Sequence, residues 1–486
     1  MRHGTFGTGM YKWLLLCFVG GALTGCGAYY QPVVPPVESY LPSPPPERLH
    51  SPSDEAEMEA EEEPLEEIGE GRAAVSLETC VRIALDKNPS MRAAEAGVRV
   101  AKEGVGEARA PYFPDVGIST GYHRFQRHAF LPNGLTDIRS GIPSVIGPTD
   151  DWNGAVNSRF ILFDSGERRA QLKSAMARQG VAEEEAARIQ QDLAFNVHQT
   201  YYGLVAAMEN RDVARKNLEL AENHLHLAQE RKAAGAVPKA DVLRAQVEVA
   251  DRRLALVRAE NLVRITQGQL STSMGLPVET HFEVDARPEE MISPQAIDLD
   301  AALGEAVHLR PEIKAALRRV ASAGTAVESA KSAFGPKIKA EAGYGWRDSE
   351  FLPQDEEWLA GVFVELPLFT GFSRIHKLAG KKAELSKEEA TARQVVLDVQ
   401  REVWTAHSEF KEAYEAVQAS EVLVKDAEEG MRTTQERYEV GAGTINDLLD
   451  AQTALARAET SRVEARWNYH IARSAFDRSI GRMAVE

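Results

Sequence analysis

The sequence predicts a mainly α-helical fold with a small membrane β part, built from one helix-strand-strand-helix-helix unit that occurs twice. Three observations carry this. A shift of 222 residues aligns Leu77, Ala84, Pro89, Val105, Pro114 and Tyr122 with Leu299, Ala306, Pro311, Val327, Pro336 and Tyr344 without a gap. Further on, a shift of 206 aligns Leu162-Phe163, Gly235-Ala236, Asp241 and Gly275 with Leu368-Phe369, Gly441-Ala442, Asp447 and Gly481, the mark of an internal duplication. Leu193, Val197, Thr200, Leu204 and Ala207, with counterparts Val399, Val403, Ala406, Phe410 and Ala413, step by four and three. That is the ~3.5-residue period of a coiled-coil-like seam.

The elements follow in chain order. Arg2 and Lys12 precede the apolar run Trp13–Val19, which leads to Leu23-Thr24-Gly25-Cys26; the layout is that of a secretory signal, and the last four residues resemble a bacterial lipobox. Cleavage before Cys26 and lipidation of its sulfur (diacylglycerol and palmitate) are expected, with Gly27 directing the product to the outer membrane. Residues 26 to 71 then carry nine prolines and twelve acidic groups against the single Arg48. Such a segment buries too little apolar area to offset its ordering entropy and reads as an extended tether. The domains predicted are a signal peptide at 1–25, a lipidated cysteine and Pro/Glu-rich tether at 26–75, and repeats at 76–297 and 298–486.

Within each repeat an opening helix is expected at about 77–110 and 299–333, and a return helix at 239–273 and 445–480. The long helix at 166–234 reaches roughly 100 Å at ~1.5 Å per residue. An opener and a return helix together match that length, so the short helices are expected to stack end to end beside the long ones. Lys337 to Trp346 alternates, with Ile338, Ala340, Ala342, Tyr344 and Trp346 on one face, and Trp358 to Leu366 does likewise, as transmembrane strands do. Val116 to Tyr122 and Asn153 to Phe163 form the weaker first pair, interrupted by Arg159 and His123. The difference between the two shifts places 16 extra residues in a loop between about 124 and 160. Four strands cannot close a barrel, so a membrane reading requires strands from several chains.

The chain's 486 residues include 56 Lys+Arg against 73 Asp+Glu, a formal charge of −17. An acidic chain lacks the basic face that nucleic acid requires. The three cysteines, Cys17, Cys26 and Cys80, form neither a disulfide framework nor a metal motif, and Cys80 reads as a packed residue on an amphipathic helix. His224 and His226 are two apart on a helix and so point to different faces, unlike an i,i+4 metal pair. Glu183-Glu184-Glu185 is a solvated helix face. No residues can be nominated for catalysis, a cofactor or a metal.

Arg437-Tyr438-Glu-Val-Gly441-Ala-Gly-Thr-Ile-Asn-Asp447-Leu-Leu-Asp450-Ala-Gln452 and the parallel Lys232 to Gln246 resemble the periplasmic hairpin tips of the outer membrane factor, or TolC-like, family, including its lipoprotein branch. The resemblance covers about 76–483. It implies a homotrimer in a Gram-negative bacterium, with a twelve-stranded outer-membrane β-barrel continued by a periplasmic α-helical barrel. The function implied is passive: an exit duct of tripartite efflux or type I secretion, served by a periplasmic adaptor (membrane fusion) protein and an inner-membrane transporter. The alternative is a soluble periplasmic coiled-coil scaffold or adaptor. By the same resemblance, Gly235, Ala236, Val237, Pro238, Gly441, Ala442, Gly443, Thr444 and Ile445 would meet the adaptor, with Val237 and Ile445 the foremost binding residues. Asp447, Asp450, Asp241 and Tyr438 would line the pore entrance, the two aspartates of one helix face forming acidic rings. Gly443 and Ala240 replace an Arg and a Thr of the family's closing latch, so part of that latch is missing.

Overall fold

The computed structural model describes residues 74–126, 129–130, 145–146, 148–285, 291–351 and 356–483. The signal segment, Cys26, the tether up to residue 73 and most of the 16-residue loop excess lie outside the described residues.

The chain opens with α1 (Leu77–Lys87) and α2 (Pro89–Arg109). The Ser76 hydroxyl accepts from the Thr79 amide, capping α1, and the Asn88 side chain accepts from the Ser90 amide, capping α2. β1 (Asp115–Phe125), the short β2 (Ala129–Phe130) and β3 (Val145–Ile146), and β4 (Thr149–Phe163) follow. The first repeat closes with α3 (Glu167–Ala233) and α4 (Lys239–Ser273). The second repeat has α5 (Leu299–Leu309), α6 (Pro311–Ser332), β5 (Lys337–Asp348), β6 (Glu356–Glu365), α7 (Ser373–Glu439) and α8 (Ile445–Ile480). The bounds of α3, α4 and α8 agree with the sequence expectation to within a residue. The openers differ from it: each expected single helix is two. Asn88 and Arg310, each preceding a proline, are extended at ψ 127° and 122°, because the proline ring disfavours helical geometry in the residue before it.

β1, β4, β5 and β6 form one antiparallel sheet in that order. Each repeat supplies a hairpin, and β4 against β5 joins the two. Arg159, the interruption noted in the first strand pair, is matched across that junction by Glu341 at 3.2 Å. Ile338 pairs with Val364, Ala340 with Val362 and Tyr344 with Trp358, so the apolar faces expected for the second pair coincide across strands. Trp358, Val362 and Val364 are exposed on the protomer. No helix among the described residues is long and apolar enough to cross a membrane.

α3 and α7 are both 67 residues long, and two equivalent cores form midway along them. Cys80 and Ala84 pack with Val197, Tyr201, Leu204 and Leu270. Ala302 and Ala306 pack with Val399, Val403, Phe410 and Tyr469. Val197 and Val403, 206 apart, are both fully buried. Apolar burial of this kind contributes roughly 1.5–3 kcal/mol for each large side chain, and it holds the opener against the long helix. Burial also pushes the Cys80 thiol up to about 12, the behaviour of an inert packed cysteine rather than a nucleophile.

The short helices do stack end to end. Asn88 Nδ2 donates to the Ser273 carbonyl at 2.8 Å, and a Cβ on Gly275 would lie 2.7 Å from Asn88 Cα, so only glycine allows the α4 end to approach α2 this closely. In the second repeat the Arg310 guanidinium bridges the same joint, donating to the Arg478 and Ser479 carbonyls at 3.1 and 3.2 Å.

Candidate channel entrance

Two tips close the helical end. At each, a long helix must reverse, and the chain does so through a left-handed residue: Gly235 at φ +77° and Gly441 at +80°. L side chains avoid this region, so glycine is the default residue. The turns are copies. The Gly235 and Ala236 amides donate to the Lys232 and Arg231 carbonyls at 2.9 Å each, and the Gly441 and Ala442 amides to the Tyr438 and Arg437 carbonyls at 3.0 and 2.8 Å.

Their side chains differ. In the first tip Gly235, Ala236 and Pro238 are exposed and Val237 is half-buried, and α4 begins at Pro238 without a side-chain cap. In the second tip Gly441, Ala442 and Thr444 are exposed and Gly443 is half-buried. A Cβ on Gly443 would sit 3.3 Å from the Tyr438 amide nitrogen, a tight fit at the position where the resemblance leads one to expect arginine. Ile445 departs from expectation. It is 2% exposed and packs with Met431, Tyr438 and Leu448. It therefore supports the tip from within and is not presented to a partner.

Asp447 closes a capping box. Its Oδ2 accepts from the Thr444 amide at 3.0 Å and hydroxyl at 2.8 Å, while the Asp447 amide donates to Thr444 Oγ1 at 3.3 Å. These bonds hold the Asp447 carboxyl below its ordinary value. The carboxylate is exposed, as is Asp450 one turn on. Asp241, in the first turn of α4, lies 3.4 Å from Arg244.

Tyr438 is the hinge between the tips. The Arg231 guanidinium lies 4.7 Å over its ring and donates to its carbonyl. The hydroxyl is buried and has no hydrogen-bond partner among the described residues. Burial pushes the phenol up, with Arg231 opposing and Asp241 reinforcing. The structure thus brings Arg231 onto Tyr438, pairs Asp241 with Arg244, joins Asp447 to Thr444, and shows no latch bond at the Tyr438 hydroxyl among the described residues.

Sequence reasoning missed two polar constellations. Along the packing of α3 on α8, His224 Nδ1 shares a hydrogen bond with Gln452 Oε1 at 3.0 Å, Gln452 Nε2 donates to the Asn217 carbonyl, and Trp467 Nε1 donates to Glu209 at 2.9 Å. His224 is buried, whereas His226 is exposed, as their spacing requires. Desolvation holds the His224 imidazole below its ordinary value, opposed by Gln452, Glu248 and Glu439. The second constellation is an ion-pair network at the α5–α6 break: Arg310 with Glu312 and Glu402 at 2.9 and 2.7 Å, and Arg478 with Asp192 at 2.6 Å and with Glu402. The only sequence signal for it is the charged residue before Pro311. Among the described residues no cluster of three metal-ligating side chains occurs.

Residues 80–276 and 302–482 match the outer membrane efflux protein family. The chain is 29% identical over 386 residues to Protein CyaE of Bordetella pertussis, covering 78% of each. It is 24% identical over 458 residues to the toluene efflux pump outer membrane protein TtgC of Pseudomonas putida, covering 93% of this chain and 91% of that one. The crystal structure of the Campylobacter jejuni CmeC outer membrane channel has the same fold, with a TM-score of 0.72 at 16% identity over 90% of this chain and 94% of that one. Matched through both of its repeats, this chain belongs to the outer membrane efflux protein family, the non-enzymatic outer-membrane channels of tripartite efflux and secretion systems.

Proposed function

We propose that the chain acts as a homotrimeric, lipid-anchored exit duct, fixed to the outer membrane by Cys26 as well as by its strands. A periplasmic adaptor meets the tip residues Gly235, Ala236, Val237, Pro238, Gly441, Ala442, Gly443 and Thr444, most of them exposed, and an inner-membrane transporter supplies the energy. The observation that carries this reading is the sheet. Its order leaves β1 and β6 as outer strands, and unpaired backbone groups in hydrocarbon cost several kcal/mol each, about enough to exclude an open edge from a bilayer. Strands from other copies remove both edges.

Asp447 and Asp450 from every copy ring the entrance and favour cations, with Asp241 and Tyr438 beside them. Asp447 serves both roles, since only one of its oxygens is used by the capping box. Relatives named for pyoverdine export and for toluene efflux match this chain over most of its length, which supports a duct whose cargo is chosen upstream by the pump. Residues 1–25 are removed on export, 26–75 form the tether, and 76–297 and 298–486 are the two repeats.

The test is extraction and labelling. The protein should require detergent for release, migrate as a trimer, and incorporate labelled palmitate that Cys26→Ala abolishes. Detergent-free release of a monomer would overturn the duct, and unlabelled wild-type protein would overturn the anchor.

A further inference from the structure

Directly behind the tips, two apolar clusters flank a polar joint. Ala228 of α3 packs with Val242 and Ala245 of α4, inside the hairpin that carries the first tip. Leu220 and Leu227 of α3 pack against Met431, Tyr438, Ile445 and Leu448, inside the hairpin of α7 and α8 that carries the second. His224 lies one turn of α3 from Leu220, Leu227 and Ala228. It is 3% exposed and faces Gln452 of α8, which is fully buried.

The hydrogen bonds around Gln452 place the imidazole proton. Gln452 Nε2 donates to the Asn217 carbonyl at 3.3 Å, so Oε1 is the atom turned to His224 Nδ1 at 3.0 Å. An amide oxygen only accepts; Nδ1 therefore carries the hydrogen, and Nε2 is the bare nitrogen. Nε2 is buried and has no hydrogen-bond partner among the described residues. A second proton must go there, where it adds a charge and an unmatched N–H donor to a packed seam, and both are costly. The charged groups that face the ring stand on flanking helices, Glu248 on α4 and Glu439 on α7, while α8 presents the uncharged Gln452. Glu248 is engaged by Arg252 at 2.6 Å, and Arg252 reaches across to Thr453 of α8 at 3.0 Å. Carboxylates thus draw a proton toward the joint, yet none accepts from Nε2 while the seam is packed.

We infer that His224 is an acid-sensitive clasp on the channel entrance: neutral, it ties α8 to α3 through Gln452, and protonated at Nε2 it drives the two hairpins apart, opening the tips. Parting the seam admits water to Nε2 and lets the imidazolium approach Glu248 or Glu439, so the parted state binds the proton more tightly than the packed one. Desolvation, which holds the packed imidazole below its ordinary value, sets the direction. By linkage the equilibrium moves toward opening by up to roughly tenfold per copy for each pH unit below about 6.5, until His224 is charged in both states. The repeat equivalent of His224, 206 residues on, is Gly430, so the second repeat carries no imidazole at this place. The inference rests on the duct proposed above and adds a control to its entrance.

The experiment records full-length protein in planar bilayers from about pH 7.5 to 5.5, above the range in which Asp447, a carboxyl held below its ordinary value, takes up a proton. Wild-type conductance should rise several-fold as pH falls. His224→Gln, which keeps a neutral donor toward Gln452, should stay at its neutral-pH level throughout. His198→Gln, in the same seam beside Ser474, should keep the response. A second arm leaves His224 in place: Asn217→Cys with Glu459→Cys, whose native side chains meet at 3.2 Å across the seam, bridged by a short reducible cross-linker, the native Cys80 being buried. The bridge should abolish the acid response and reductant should restore it. A wild-type duct that does not respond to acid, a response that survives in His224→Gln or under the bridge, or one lost equally in His198→Gln overturns this inference while leaving the duct standing. No conductance at any pH overturns both.

Discussion

At both tips a long helix ends on a left-handed glycine with the same pair of backbone hydrogen bonds, yet the two turns are braced unequally. The second carries the Thr444–Asp447 capping box and stands on Ile445, Leu448 and Tyr438. The first has no side-chain cap and leans on the second through Arg231. Duplication preserved the turn, which backbone geometry dictates, while the side chains diverged. The joints between stacked helices show the same contrast, an asparagine in the first repeat and a partly buried ion-pair network around Arg310 in the second.

The sharpest way to break the comparison is at Tyr438, which is 1% exposed. Tyr438→Ala should lower stability by about 3 kcal/mol, the scale of an emptied aromatic site, and loosen both tips. Val237→Ala, at the half-buried position of the first tip, should cost less than about 1 kcal/mol. Tyr438→Phe should be nearly neutral, because it removes a hydroxyl that has no partner. Thermal unfolding in detergent ranks the three, and a large loss in Tyr438→Phe would mean that the hydroxyl bonds across copies.

The joints should differ by less. Arg310→Ala removes a buried guanidinium from Glu312 and Glu402 and is expected to cost about 2–3 kcal/mol, below the ~3–5 of a fully buried pair because the carboxylates keep some solvent and Glu402 keeps Arg478. Asn88→Ala, losing a helix cap, should cost about 1 kcal/mol. Equal shifts in unfolding temperature would erase the distinction between the joints.

Smaller still is the pH dependence of the α3–α8 seam. His224 is held below the ordinary histidine value of about 6.5, so the unfolded chain takes up its proton first as pH falls. The stabilisation from its neutral form is complete above about 6.5 and declines below it. Wild-type unfolding temperature should therefore drop between about pH 7.5 and 5 more than that of His224→Gln. The Asp447 cap has the opposite kind of group: a carboxyl whose value is lowered, so its contribution persists above about 3.9 and fades only in stronger acid. Asp447→Asn should leave the profile above pH ~5 unchanged.

How much of this was legible depended on the range of the cause. α3, α4 and α8 were readable to within a residue because seam periodicity and turn glycines are local signals. The breaks at Asn88 and Arg310 were equally local, since both prolines stood in the aligned positions, but the apolar pattern ran through them and hid the two extended residues. Burial of Ile445 was not readable: as the first residue of α8 it looks like part of a turn, and it is covered by Tyr438 and by Met431, about two turns back along α7 from Tyr438. The Arg310, Glu402, Arg478 and Asp192 network joins three helices to the α5–α6 break, and apart from the charged residue before Pro311 nothing within a window of sequence announces it.

The central claim is that copies of this chain enclose a conducting path through the outer membrane, entered past the Asp447 and Asp450 carboxylates. The most direct measurement is single-channel recording of the detergent-extracted protein in planar bilayers. Cation-selective conductance is predicted, with selectivity and block by multivalent cations weakened when Asp447→Asn and Asp450→Asn are combined. A folded trimer that conducts no ions would contradict the account, and conductance with unchanged selectivity would reduce the two aspartates to helix-start residues.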